Sequence, residues 1–157
     1  MIRPLRAGEA DACEAIMRAL PVWFGIEESI VRYRRDMDAM ETLVAESEGR
    51  VFGFLTLNTH NPRAAEIHIM AILKEHRRRG AGRRLVRRAE SLLRERSVEV
   101  LQVKTLGPSR ENAAYAETRA FYEAVGFCPL EETNLWGDVN PCLIMVKHLS
   151  CTEDPTP

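Results

Sequence analysis

The sequence is poor in aromatics, in net charge and in ordered cysteine spacing. Aromatic residues make up 6% of the 157 positions, and the formal charge is −1. None of its stretches approaches the ~20 apolar residues of a membrane-crossing helix, so no membrane span is expected. The opening MIRPLRAGEADACEAIMRAL carries Glu9, Asp11 and Glu14 and lacks an apolar run, which argues against a secretory signal. Cys13, Cys128, Cys142 and Cys151 form neither CxxC nor Cys/His metal spacing. Reduced thiols in a cytoplasmic protein, with no metal, are the expectation. The GxxxxGK[ST] phosphate loop is missing. A dinucleotide fingerprint would need a third glycine where Leu85 stands.

What is present suits one folded domain: 45% hydrophobic and 29% charged residues over a length that can bury a core. Residues 1–149 read as that domain and 150–157, CTEDPTP, as a frayed tail. MIRPL opens with a strand. Ala12, Ala15, Ile16 and Ala19 recur at helical spacing within 8–20, and 27–40 reads as a second, charged helix. LVAE (43–46), a turn and VFGFLTLNT (51–59) predict a hairpin. In AAEIHIMAIL (64–73), odd positions Ile67, Ile69, Ala71 and Leu73 are apolar. The even positions Glu66, His68, Met70 and Ile72 are mixed, as in a central strand covered on both sides. Leu85, Val86, Ala89, Leu92 and Leu93 mark one helix face. Strand 98–106, helix 113–125 with Gly126 as its stop, and strand 142–149 follow. The order is strand, two helices, three strands, helix, strand, helix, then one or two strands.

Charge is concentrated in one place. Lys74 to Arg96 holds ten Lys/Arg against three Asp/Glu, a local +7, so the remainder totals −8. Within it, HRRRGAGRRL (76–85) follows a strand and opens a helix. Helix N-termini carry unpaired N–H groups and positive potential. Gly80 and Gly82 lack Cβ atoms, which lets an anion approach the backbone. Arg77, Arg78, Arg79, Arg83 and Arg84 add charge. The stretch reads as a phosphate socket, with a solvated cationic helix face as the bland alternative. Nucleic-acid binding is not expected, because no aromatics are interleaved with the arginines.

Arg77-Arg78-Arg79-Gly80-Ala81-Gly82 matches the Q/R-x-x-G-x-G/A motif of the GCN5-related N-acetyltransferase (GNAT) family, and RAFYEAVGF (119–127) matches that family's helix-and-turn signature. The chain resembles this family over residues 1 to about 149. The resemblance implies an α/β (α+β) fold. It has a mixed central sheet of six to seven strands, about four helices and a V-shaped gap between the two central parallel strands. It implies acetyl-CoA as co-substrate, with the pyrophosphate on backbone amides from Arg78 to Arg83. The pantetheine arm would lie between strands 64–73 and 98–106, pairing with backbone near Ile72, Leu73 and Lys74. An amide near Ala71 or Ile72 would face the thioester carbonyl. The family often has asparagine seven residues before the signature tyrosine. Here Tyr115 stands there, and Asn112, three residues earlier, is the candidate substitute.

Acetyl transfer to an amine needs a base for the ammonium proton, a donor at the thioester oxygen and an acid for the leaving thiolate. By resemblance Tyr122 is the acid. An ordinary tyrosine packed with Phe121 and Phe127 is the alternative. Glu66 is the candidate base, placed on one face with His68 and Met70, with His68 as a second choice. His76 is read as solvent-facing, and His60 and His148 offer no pattern. Trp23, Phe24 and Trp136 either wall an acceptor pocket or cap the core. The acidic second helix, with Glu27, Glu28, Asp36, Asp38 and Glu41, would suit a cationic acceptor, although charge runs are usually solvated faces. The function read is transfer of acetyl to a primary amine by direct attack, with a small-molecule acceptor favoured and the protein a monomer or homodimer. A non-catalytic coenzyme A-binding module is the alternative, and turnover with any amine separates the two.

Overall fold

The helical signal at Leu85, Val86, Ala89 and Leu93 lies on the inner side of a helix over Ala81–Glu95, where all four side chains are buried. Burying Leu85, Val86 and Leu93 is worth about 1.5–3 kcal/mol each relative to exposure. The computed structural model describes residues 1–149, and the tail expected at 150–157 lies outside them. In chain order the elements are β1 (Ile2–Pro4), α1 (Ala10–Arg18), α2 (Glu27–Ala39), β2 (Glu41–Ser47), β3 (Arg50–Asn61), β4 (Ala64–Ile72), α3 (Ala81–Glu95), β5 (Val100–Leu106), α4 (Ala113–Ala124), β6 (Cys128–Thr133) and β7 (Cys142–His148). A single 3₁₀ turn, Lys74–His76, joins β4 to the loop before α3.

The strands form one seven-stranded sheet in the order β1-β2-β3-β4-β5-β7-β6. Only β4 and β5 run parallel, because α3 carries the chain back across the sheet between them. Buried residues of α3 and α4 pack one face with Leu55, Ile67 and Leu101. Buried residues of α1 and α2 pack the other with Val44, Phe54 and Ile69. Among the described residues no helix is long and apolar enough to cross a membrane.

One sequence expectation is made specific here and one changes. The edge strand β6 is the second of the one or two expected after α4. Its residues Cys128–Glu132 are all exposed, and its ladder to β7 is irregular between Pro129 and Glu131. With no buried face it has no alternation to read, and proline is tolerated at an edge. The odd positions of β4 also do not share one face. Thr56 pairs with Ile69 while Leu57 pairs with Ile67, so β4 carries an extra residue at His68. A bulge shifts the alternation by one. Ala65 and Ile67 therefore pack on the α3–α4 face, Ile69 and Ala71 on the α1–α2 face, and Met70 crosses to join Ile72 against the α3–α4 core.

Candidate active site

The parallel ladder between β4 and β5 runs from Ala64–Val100 to Ile67–Val103 and then stops. Beyond it the two strands part, while β3 still holds β4 as far as Ile72 and β7 still holds β5 as far as Leu106. The V-shaped gap is this fork. The Leu73 amide donates to Phe52 on β3 at 3.0 Å, and its carbonyl accepts from His76. Backbone direction alternates along a strand, so Met70 and Ile72 are the residues whose backbone groups turn into the fork. Of the residues expected to pair with the arm, Ile72 turns into the fork, its carbonyl also accepting from Arg77 Nε, while the Leu73 backbone is engaged by Phe52 and His76; Met70, not named for that pairing, turns in as well.

The basic loop is built by backbone geometry. Arg78 has φ +59° and Gly80 φ +78°, both left-handed. For Arg78 such a conformation is strained, a feature concentrated at functional sites. Arg84 donates its amide to Gly80, but the amides from Arg78 through Arg83 find no acceptor among the described residues. No side chain caps α3 and its first turn holds no acid. These amides and the positive end of α3 leave a stretch of unpaired donors, the kind of surface that suits an anion. Gly82 has a different reason. A Cβ there would come within 3.0 Å of Phe121 and 3.1 Å of Met70, so it lets α3 pack closely on α4 and β4.

The arginines divide in role. Arg79 is exposed, and Arg78 reaches Glu117 at 3.7 Å with both side chains in solvent. Arg83 touches the Ala124 carbonyl at 3.4 Å. Arg77 instead turns inward. Its Nε donates to the Ile72 carbonyl at 2.9 Å and its guanidinium lies 4.3 Å over the Trp23 ring. Burial lowers its pKa. Trp23 in turn donates to Thr118 on α4 at 3.2 Å and accepts from the Tyr115 hydroxyl at 3.3 Å. Arg77 and Trp23 thus link the end of β4 to α4 through the α1–α2 loop. Tyr115 serves this link, and burial raises its pKa. Asn112 caps α4, accepting from the Tyr115 amide at 3.1 Å.

A cavity of about 710 Å³ opens at the fork and is lined by Glu66, His68, Met70, Lys104, Thr105, Tyr122 and residues of the α1–α2 and β6–β7 loops. Tyr122 on α4 is 7% exposed, with edge-on contacts to Phe121 and Phe127. Its hydroxyl has no hydrogen-bond partner among the described residues, and Tyr122 lines the cavity. Burial pushes its pKa up, which keeps the phenol protonated.

Glu66 is 4% exposed and accepts from Lys104 at 3.0 Å and from His60 at 2.8 Å. His60 on β3 and Lys104 on β5 flank Glu66 on β4 from both sides. Neither was singled out from sequence, because strand register alone brings them there. His68 is committed elsewhere, 2.9 Å from Asp36 and edge-on to Tyr33 at 5.5 Å, both on α2. His76 is half-buried and stacked on Phe52 at 4.1 Å rather than solvent-facing. Of the aromatics read as pocket or cap, Phe24 packs on Tyr33, Trp23 forms the link just described, and Trp136 stays 42% exposed at the cavity wall. Burial raises the Cys142 pKa and pushes Cys13 up to about 12, so neither is poised as a nucleophile.

The acidic character of α2 is largely neutralised in place. Glu27 pairs with Arg18, Asp36 with His68, Asp38 with Arg34 and, just beyond the helix, Glu41 with Arg96. The cavity's cations are less complete. Arg110 donates only to the neutral Val139 carbonyl and Asn140 side chain, and Arg32 has no carboxylate partner among the described residues.

Comparison with known proteins agrees with this geometry. Residues 10–127 match the model of the acetyltransferase (GNAT) family. A protein of Chlorobaculum tepidum named as an uncharacterized N-acetyltransferase is 30% identical over 152 residues, covering 94% of this chain and 83% of that protein. Among solved structures, an acetyltransferase of the GNAT family from Desulfovibrio desulfuricans superposes with a TM-score of 0.84 at 15% identity, covering 96% of this chain and 99% of that one. An aminoglycoside 6′-N-acetyltransferase complexed with coenzyme A gives 0.77 at 17% identity, covering 100% and 99%. With its fork, its loop of unpaired donors and its family match, the chain belongs to the GNAT acetyltransferase family and is an acyltransferase of that class.

Proposed function

We propose that the protein transfers acetyl from acetyl-CoA to a small primary amine that also carries an anionic group. The observation that carries this reading is that Glu66 and the Tyr122 hydroxyl line one cavity at the mouth of the fork. The open amides from Arg78 through Arg83 would hold the pyrophosphate, with Arg78, Arg79 and Arg83 around it. The backbone of Met70 and Ile72 would pair with the pantetheine arm, and an amide beyond the bulge would meet the thioester oxygen. A cavity of about 710 Å³ suits a small acceptor.

In the chemical step, the amine nitrogen bonds to the thioester carbonyl carbon and the C–S bond breaks, its electron pair staying on sulfur. Glu66 takes the proton that the ammonium gives up, directly or through a water, and the second proton, shed by the nitrogen as the amide forms, passes to cavity water. Tyr122 donates to the leaving sulfur. Its raised pKa makes it a persistent hydrogen-bond donor to the thiolate.

The acceptor's charge follows from what the cavity leaves uncompensated. Glu66 pairs with Lys104 and accepts from His60, and Asp36 is hydrogen-bonded to His68. Arg110 and Arg32 are answered by no carboxylate among the described residues. A concave wall with unmatched guanidinium groups favours a carboxylate or similar anion, not the cationic acceptor that the α2 charge run suggested.

Calorimetric titration with acetyl-CoA, then thiol release with paired amines, tests the proposal. Amino acids should turn over faster than their carboxamides. Binding without turnover of any amine would favour the coenzyme-binding module. Turnover that prefers the carboxamides would overturn the acceptor class alone.

A further inference from the structure

Among the described residues, one buried side-chain polar atom has no hydrogen-bond partner, the Thr105 hydroxyl. Thr105 is 3% exposed. The contrast with the molecule's other buried threonines is direct, since Thr42 and Thr56 bond each other at 2.9 Å. An unsatisfied buried hydroxyl costs about 1–3 kcal/mol. Valine has the same shape, suits a strand equally well and carries no such cost. A hydroxyl at this position therefore calls for a partner that the chain itself does not supply.

Its place says what that partner is. Thr105 lies on β5 two residues past Val103, the last residue that pairs with β4, so it stands inside the fork. Its other neighbour, Leu143 on β7, keeps the strand fixed. It shares the strand parity of Leu101 and Val103, which pack with Tyr122 in the α3–α4 core, and it lines the same cavity as Tyr122. An extended chain entering from the α3 side and laid along Met70 and Ile72 would turn its other edge toward β5. Amide groups on that edge need a donor or an acceptor, and a hydroxyl provides either.

We infer that the Thr105 hydroxyl binds an amide of the pantetheine arm of the acetyl donor and holds that arm against β4. This rests on the proposed donor. It gives the arm a β5 contact at a chain position where Tyr115 and the Oδ1 of Asn112 are already engaged with the α1–α2 loop and the α4 cap.

The test is Thr105→Val, with calorimetry against two probes and a thermal melt. Coenzyme A carries the arm, and 3′-phosphoadenosine 5′-diphosphate lacks it. The expected result is a loss of coenzyme A affinity of about twofold to tenfold, the worth of one neutral hydrogen bond. Affinity for the nucleotide stays unchanged, Tm is unchanged or raised, and Thr105→Ser restores coenzyme A binding. Unchanged coenzyme A affinity would overturn the inference. So would equal losses for both probes, or a fall in Tm with no selective loss of coenzyme A affinity, since these mark a structural role. Wild-type protein that bound neither probe would instead overturn the donor assignment on which the inference stands.

Discussion

The frame of the molecule and its fork treat polar groups in opposite ways. In the frame, charges are answered at once: Arg3 by Glu9 and Glu46, Arg34 by Asp11 and Asp38, Arg63 by Glu99, Arg96 by Glu41. Around the fork, groups stand unanswered: the amides from Arg78 through Arg83 and the hydroxyls of Thr105 and Tyr122, while the guanidinium of Arg110 meets only neutral acceptors. Unsatisfied groups are costly where buried, so their concentration in one region marks where ligands complete the structure. Removing a fork group is then expected to change function more than stability, and removing a frame group the reverse.

The largest effect is expected at Glu66, the β4 carboxylate held by Lys104 and His60. Glu66→Gln should lower kcat by about a hundredfold to a thousandfold, the range of a lost general base. Coenzyme A affinity should hold, because the proposed anion socket lies on α3. Steady-state rates beside calorimetry check this, and a near-normal rate would move the base role to another group.

Next is Tyr122. Tyr122→Phe should lower kcat by about tenfold to a hundredfold, the worth of a hydrogen bond to a developing charge, with coenzyme A affinity little changed. The pH profile gives a second readout. Burial raises the phenol pKa above its ordinary value of about 10, so the proton stays on as pH rises through 10. No fall in kcat below pH 10 should arise from Tyr122. A limb below that value, lost in the phenylalanine variant, would contradict the burial.

The same contrast explains what the sequence made legible. The loop proposed to hold the donor rests on backbone: a strand, two left-handed positions and a helix start leave glycine and hydrophobic spacing as marks, so the place of that loop and of Tyr122 on α4 was legible. The acceptor side rests on side chains that register brings together. His60 and Lys104 flank Glu66 from neighbouring strands, and no local spacing announces that. The extra residue at His68 is equally silent, since a bulge changes the alternation without changing composition, and so Met70 was placed on the wrong face. The pairing of the acidic run on α2 is hidden for a related reason. Its partners Arg18, Arg34 and His68 are visible only in three dimensions.

Arg110 probes that acceptor side. Arg110→Ala should raise KM for a carboxylated amine about tenfold, while its carboxamide and acetyl-CoA change little. Parallel kinetics on the pair of amines isolate the carboxylate contact. Equal losses on both would assign Arg110 to holding the β6–β7 loop through Val139 and Asn140 instead.

The smallest effect belongs to the frame. Arg3 chiefly, and then the Arg6 amide, hold the Glu9 carboxyl down at about 2, below its ordinary 4.5. A depressed carboxyl contributes stability that is present above pH 4.5 and lost as pH falls through about 2. Glu9→Gln should therefore lower Tm slightly at pH 7, because exposed pairs are weak. The gap to wild type should close as the melts are repeated toward pH 2. Turnover at neutral pH should stay at the wild-type level, since Glu9 binds β1 to α1 and lies outside the cavity lining. A loss of turnover in this variant would show that frame and fork are coupled, and would break the contrast between them.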